Sequence, residues 1–195
     1  MLRSHPAGWP LLLLAAFIPG TYVLNSLNGK PCIKVIMGVE FIITEQKTWY
    51  FNLDSSRVRV SGYCTNKVAV LSITMPDNAA SLQFTFTKEK KVFFVTKLTA
   101  HLSPMPVCIK CSNKTYSGLV DKDKMFKTAN GKSFKCKSES QFLMSSTLQV
   151  KLVPLQLQAF ALNNGKFGKG GRTLPSDCAE MLKHTQLVSC SIFKP

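Results

Sequence analysis

The stretch Ile33-Lys-Val-Ile-Met-Gly-Val-Glu-Phe-Ile-Ile43 decides the fold class. Every odd position in it is apolar (Ile33, Val35, Met37, Val39, Phe41, Ile43), while Lys34, Gly38 and Glu40 fall between them. Successive side chains of an extended chain point to opposite faces, so a period of two predicts a half-buried strand, and Gly38 inside it predicts a bulge. The same alternation recurs outward from this segment. Leu82, Phe84 and Phe86 alternate with Gln83, Thr85 and Thr87; Leu148, Val150 and Leu152 alternate with Thr147, Gln149 and Lys151. Leu155, Leu157 and Ala159 continue the second pattern past Pro154, which has no N–H for a ladder and predicts an edge position or a bulge. Val92 to Ala100 is rich in Phe, Val and Thr and reads as a further strand, with shorter ones over Arg57–Val60, Val68–Thr74 and Ser133–Lys137. Helical spacing is confined to Ala179–Gln186. Many short strands separated by turn residues predict an antiparallel all-β domain.

The breaker-rich segments are loops: Met75-Pro-Asp-Asn-Ala, Ser103-Pro-Met-Pro, Ser112-Asn-Lys-Thr, and Asn163 to Gly171 as a long hairpin connection. Gly165, Gly168, Gly170 and Gly171 lack both the spacing and the following helix of a phosphate-cradling loop. No internal repeat and no linker divides the chain, and 195 residues suffice for one domain with a full core.

Apolar residues make up 45% of the chain, which excludes a disordered polymer, and a formal net charge of +15 makes it strongly basic. Lysine supplies nearly all of the excess, because arginine occurs only at Arg3, Arg57, Arg59 and Arg172. Lysine is a hydrated point charge, so the composition favours diffuse attraction to polyanions over bidentate recognition. Six lysines lie in Asp121–Lys137, and Lys88-Glu-Lys-Lys91 adds a second group. A solvated surface accounts for them; weak attachment to anionic glycans or lipids is the functional alternative. Nucleic acid is not an expected partner, because no recognition helix or aromatic-studded sheet motif accompanies the charge. Three His and ten acids leave few groups for acid–base chemistry, so no catalytic residue, metal site or cofactor is assigned.

The N-terminus gives the compartment. Arg3 precedes an eight-residue apolar run, Leu11 to Ile18, which ends at Pro19-Gly20. That is the length of a signal-peptide core and too short to span a bilayer. Cleavage is expected between Gly20 and Ser26, with residues 1–20 taken as the signal peptide. No later run approaches the roughly 18 apolar residues of a transmembrane helix. Seven cysteines (Cys32, Cys64, Cys108, Cys111, Cys136, Cys178, Cys190) all follow the apolar run, so an oxidising lumen would let them pair. Their pattern by itself does not fix connectivity. Cys108-x-x-Cys111 lies among prolines, serines and asparagine, a loop context that speaks against a redox helix, and it has no second pair to complete a zinc site.

Certain frames carry a family resemblance. Asn28-Gly-Lys-Pro-Cys32-Ile-Lys-Val-Ile-Met-Gly38 leads to Tyr50-Phe-Asn-Leu-Asp54 and Val60-Ser-Gly-Tyr-Cys64; Asn130-Gly-Lys-Ser-Phe-Lys-Cys136-Lys-Ser-Glu139 leads to Leu157-Gln-Ala-Phe160, Phe167-Gly168 and Cys178. From Val23 to Cys178 the chain resembles the membrane-proximal luminal domain of the lysosome-associated membrane glycoproteins. Leu82-Gln-Phe-Thr-Phe-Thr-Lys88 and Leu148-Gln-Val-Lys151 resemble the dendritic-cell branch of that family. The resemblance implies a β-prism of two antiparallel sheets over residues 21–178 and the disulfides Cys32–Cys64 and Cys136–Cys178. It implies a non-enzymatic luminal glycoprotein of the endosome–lysosome system or cell surface, with protein or glycan partners. Against the family pattern, the chain has one N-glycosylation acceptor, Asn113-Lys-Thr115, and residues 179–195 form a short tail without a membrane-spanning helix. Two other readings stay open: a secreted lectin-like or glycosaminoglycan-binding factor, and a CxxC thiol oxidoreductase.

Overall fold

The computed structural model describes residues 18–103 and 114–169. Among these residues eleven strands build two antiparallel sheets. In the first, β2 (Pro31–Thr44) and β11 (Leu148–Ala159) form the centre. On the outer side of β2 lie β1 (Gly20–Asn25) and β3 (Thr48–Asn52); on the outer side of β11 lie β9 (Phe134–Cys136) and β10 (Ser140–Leu143). The second sheet runs in sequence order: β4 (Arg59–Cys64), β5 (Val68–Thr74), β6 (Ala80–Glu89), β7 (Val92–Leu102) and β8 (Tyr116–Ala129).

The core lies between the sheets and takes one face of each strand. Ile33, Val35, Met37, Val39, Phe41 and Ile43 of β2 are all buried, as are Leu82, Phe84 and Phe86 of β6 and Leu148, Val150, Leu152, Leu155 and Leu157 of β11. Two-residue periodicity therefore translates directly into two inner faces packed together. This is the β-prism that the sequence frames imply.

Pro154 sits in a bulge of an interior strand. Val39 and Met37 of β2 pair with Leu152 and Leu155, so Val153 and Pro154 together oppose Gly38. The extra residue thus belongs to β11 and not to the Gly38 strand. On its other side β11 pairs with β10 up to Leu152 and with β9 from Leu155. The proline falls where one neighbour ends and the next begins, and no ladder bond is asked of it.

Four strands have no counterpart in the sequence reading. β1 occupies the segment expected to hold the cleavage site, with Tyr22 and Leu24 buried and Gly20–Asn25 paired to β2. β3 and β10 are too short to show a period. β8 runs through the lysine-rich stretch read as solvated surface. Its inward residues are Tyr116 and Val120, then Met125 and Phe126, because two register shifts against β7 break the alternation. Phe126 reaches into an aromatic group with Phe134 and Phe142, at ring distances of 5.1 and 5.8 Å. The strand expected at Arg57–Val60 begins at Arg59 and continues to Cys64. The helix expected over Ala179–Gln186 lies outside the described residues.

Candidate functional site

The expected disulfide residues are placed as follows. Cys32, at the start of β2, and Cys64, at the end of β4, are bonded with a Cα–Cα distance of 6.5 Å. The bridge ties the two sheets together at the side where β1 faces β4. Cys136, in β9, is buried and disulfide-bonded. Its expected partner Cys178 lies outside the described residues, as do Cys108, Cys111, Cys190 and the acceptor Asn113. Among the described residues no three His, Cys, Asp or Glu side chains gather as a metal-ligand set.

What the fold does assemble is charge. Antiparallel topology brings the β1–β2, β4–β5, β6–β7 and β8–β9 turns and the end of β11 to one pole of the prism, next to Cys32–Cys64. Backbone bonds lock these turns to one another. Lys88 N–H donates to Lys67 O at 2.8 Å, and Asn130 N–H donates to Lys91 O at 2.8 Å. The segment after β11 is drawn in by the fully buried Gln158, whose Nε2 donates to Ala161 O at 2.7 Å and whose Oε1 accepts from Gly168 N–H at 2.8 Å. Ser133 Oγ donates to Gly168 O, and Lys34 Nζ donates to Gly165 O at 2.9 Å while lying 5.1 Å from the Phe167 ring centroid.

Lys30, Lys67, Lys90, Lys91, Lys132, Lys166 and Lys169 are all exposed at this pole. Its turns carry one carboxylate, Glu89, whose Oε2 lies 3.4 Å from Lys124 Nζ. Among the described residues no carboxylate is within ion-pair distance of Lys67, Lys90 or Lys91. Two open clefts adjoin here. One, of about 530 Å³, exposes the bridge between Asn28, Asn66 and Phe160; the other, of about 870 Å³, has Val68, Thr87 and Val92 for a floor and Lys67, Lys90 and Lys91 for a rim. Lys88 separates them, with Nζ 5.7 Å from the Phe160 centroid. An exposed set of fixed cations can hold an anionic surface but has no nucleophile or acid–base pair. Sequence reading saw two lysine runs; it missed that they meet, and that Lys30, Lys67 and Lys166 join them, since only strand pairing brings the turns together.

Comparison with known proteins bears on the whole domain. Residues 15–173 match the family model described as lysosome-associated membrane glycoprotein 2-like, luminal domains. The chain is 36% identical over 155 residues to mouse lysosome-associated membrane glycoprotein 3, covering 76% of this chain and 36% of the relative. The human protein of that name is 32% identical over 154 residues, covering 76% and 35%. The chain thus spans about a third of the length of these curated relatives. Among solved structures, human lysosome-associated membrane protein LAMP-3, also called DC-LAMP, superposes with a TM-score of 0.71 at 31% identity over 79% of this chain and 97% of that one. The membrane-proximal domain of mouse LAMP-1 shares the fold, with a TM-score of 0.67 at 21% identity over 80% and 96%. Sequence frames, two-sheet fold and family match agree, and the chain belongs to the lysosome-associated membrane glycoprotein family, of which it carries a luminal β-prism domain.

Proposed function

We propose that this chain acts as a non-enzymatic luminal interaction domain in the endosome–lysosome system. The single observation behind the reading is the family match across nearly the whole domain. Its partners are proteins or glycans of the lumen. The leader ends at or before Gly20, because a cut nearer Ser26 would remove β1 and uncover the face that Tyr22 and Leu24 cover. Cys136 pairs with Cys178, and Asn113 carries the glycan. Among the described residues no helix is long and apolar enough to cross a membrane. The alternative of a secreted lectin-like factor gains no support from the relatives.

Expression of the tagged chain in cultured mammalian cells tests this reading. Co-fractionation with lysosomal hydrolases on a density gradient and a mobility shift on N-glycosidase treatment are expected. Peptide mapping without reduction should recover Cys32–Cys64 and Cys136–Cys178 peptides. A cytosolic, unglycosylated product with free thiols would overturn the proposal.

A further inference from the structure

We infer that the lysine-rich pole is a docking surface for an anionic lipid bilayer, with Leu27 inserting between the headgroups. The inference goes beyond the family reading and rests on three features of the pole.

The first is where the cations sit. Lys30, Lys67, Lys90, Lys91 and Lys132 come from four different turns, all at the same end of the prism, so they present charge end-on. The β6–β7 turn is the sharpest of these: Glu89 pairs with Val92, and Lys90 takes a φ of 51° to close it, which aims two adjacent lysines outward. The pole's carboxylate, Glu89, is occupied by Lys124, so the rim lysines are left to an external anion.

The second is Leu27, the most exposed large apolar residue among those described, at 109% of its reference accessibility. It occupies the tip of the β1–β2 turn. That turn is held rigid: Ser26 N–H donates to Lys30 O at 2.9 Å, Gly29 N–H to Ser26 O at 2.9 Å, and Lys30 N–H to Asn28 Oδ1 at 3.2 Å. A leucine held out in water beside lysines is the pairing that interfacial proteins use, an apolar group for the acyl boundary and cations for the headgroups. A hydrated acidic polysaccharide would satisfy the lysines but would give Leu27 no apolar medium. The bilayer accounts for both.

The third is the opposite end. Ser103 and Lys114, which flank the segment containing Asn113, lie at the far pole, where Leu102 pairs with Tyr116. Lys114 there is bound to Glu45 at 2.6 Å, so that cation is already neutralised. A glycan emerging near Lys114 would leave the lysine pole uncovered.

Vesicle co-sedimentation of the purified processed chain, with the leader removed, tests the inference. Vesicles of phosphatidylcholine alone should leave the protein in solution. Vesicles containing phosphatidylserine should pellet it at low ionic strength, and salt should release it as the charges are screened. Each lysine near an anionic surface contributes about a fivefold factor, so Lys90→Gln with Lys91→Gln should weaken binding about 25-fold. The charge-matched pair Lys47→Gln with Arg57→Gln, remote from the pole, should change it little. Leu27→Ser should weaken vesicle binding several-fold while retention on heparin is unchanged. Three results would overturn the inference: no pelleting with phosphatidylserine vesicles; equal loss from both charge-matched pairs; or heparin binding that depends on Lys90 and Lys91 without vesicle binding, which would assign the pole to an acidic polysaccharide. Circular dichroism of each variant separates these outcomes from misfolding.

Discussion

Glu40 and Lys151 are register partners across β2 and β11, and Lys151 Nζ lies 2.7 Å from Glu40 Oε2 with both side chains largely shielded from solvent. Glu139 adds a second carboxylate 3.5 Å from the same ammonium, from the exposed side. The pair therefore sits on the outer face of the central strands, flanked in the sheet by β3 and β10. Replacing Lys151 by Met would leave a shielded carboxylate without its cation and should cost about 3 kcal/mol. Replacing both Glu40 and Lys151 by Leu should cost much less than that. Urea midpoints of the single and double variants check the difference; a double variant as unstable as the single would show that the pair is net stabilising.

For the Lys151 ammonium, burial works against the charge, yet the hydrogen bond and the charge of Glu40, with Glu139 behind them, raise its pKa above the ordinary 10.5. A raised lysine pKa means that this contribution is complete below 10.5 and is lost only as pH rises through the higher folded value. On the lysine side, then, acidification takes nothing from the pair.

Tyr22 makes a sharper pH prediction. Burial, and secondarily the charge of Asp54, push its phenol up to about 12 from an ordinary 10.0. The unfolded chain releases that proton first, so stability should fall as pH rises from 10.0 to about 12 and be unaffected below. The difference in urea midpoint between the protein and Tyr22→Phe should be flat up to pH 10.0 and change only above it. A constant difference across that range would count against the burial of this hydroxyl.

Gly118 closes the seam opposite the disulfide. Leu119 N–H of β8 donates to Met144 O at 3.1 Å, which joins the second sheet to the β10–β11 turn of the first. A Cβ on Gly118 would stand 2.2 Å from that same carbonyl oxygen. Gly118→Ala should therefore push the turn away, break the bond and cost about 3 kcal/mol or more. Thermal denaturation measures it, and hydrogen exchange at Leu119 should accelerate well beyond the average.

Cys32 and Cys64 hold the other seam. Substituting both by Ala should cost about 2–5 kcal/mol, because the unfolded chain gains the freedom that the crosslink removes. Chemical denaturation of the double variant checks the magnitude. Because the effect acts through the unfolded state, slowly exchanging amides in both sheets, the seam between β8 and the β10–β11 turn included, should lose protection together.

Much of this protein is written locally. The alternation in Ile33–Ile43, Leu82–Phe86 and Leu148–Leu152 identifies inner faces without reference to any partner, since a strand's two faces follow from its own backbone geometry. The frames around Cys32, Cys64 and Cys136 carry the family in the same direct way. Pairing is another matter. That Val153–Pro154 opposes Gly38, that β8 slips phase so Met125 and Phe126 both turn inward, and that Gly20–Asn25 is a strand at all depend on which chain lies alongside. Short strands such as β3 and β10 are stabilised by neighbours and leave no period of their own. The lysine pole is the clearest case: Lys30, Lys67, Lys90 and Lys132 are scattered along the sequence, and charge has no periodic signature. Only the antiparallel order of the sheets, which returns alternate turns to the same end, gathers them into one surface beside Leu27.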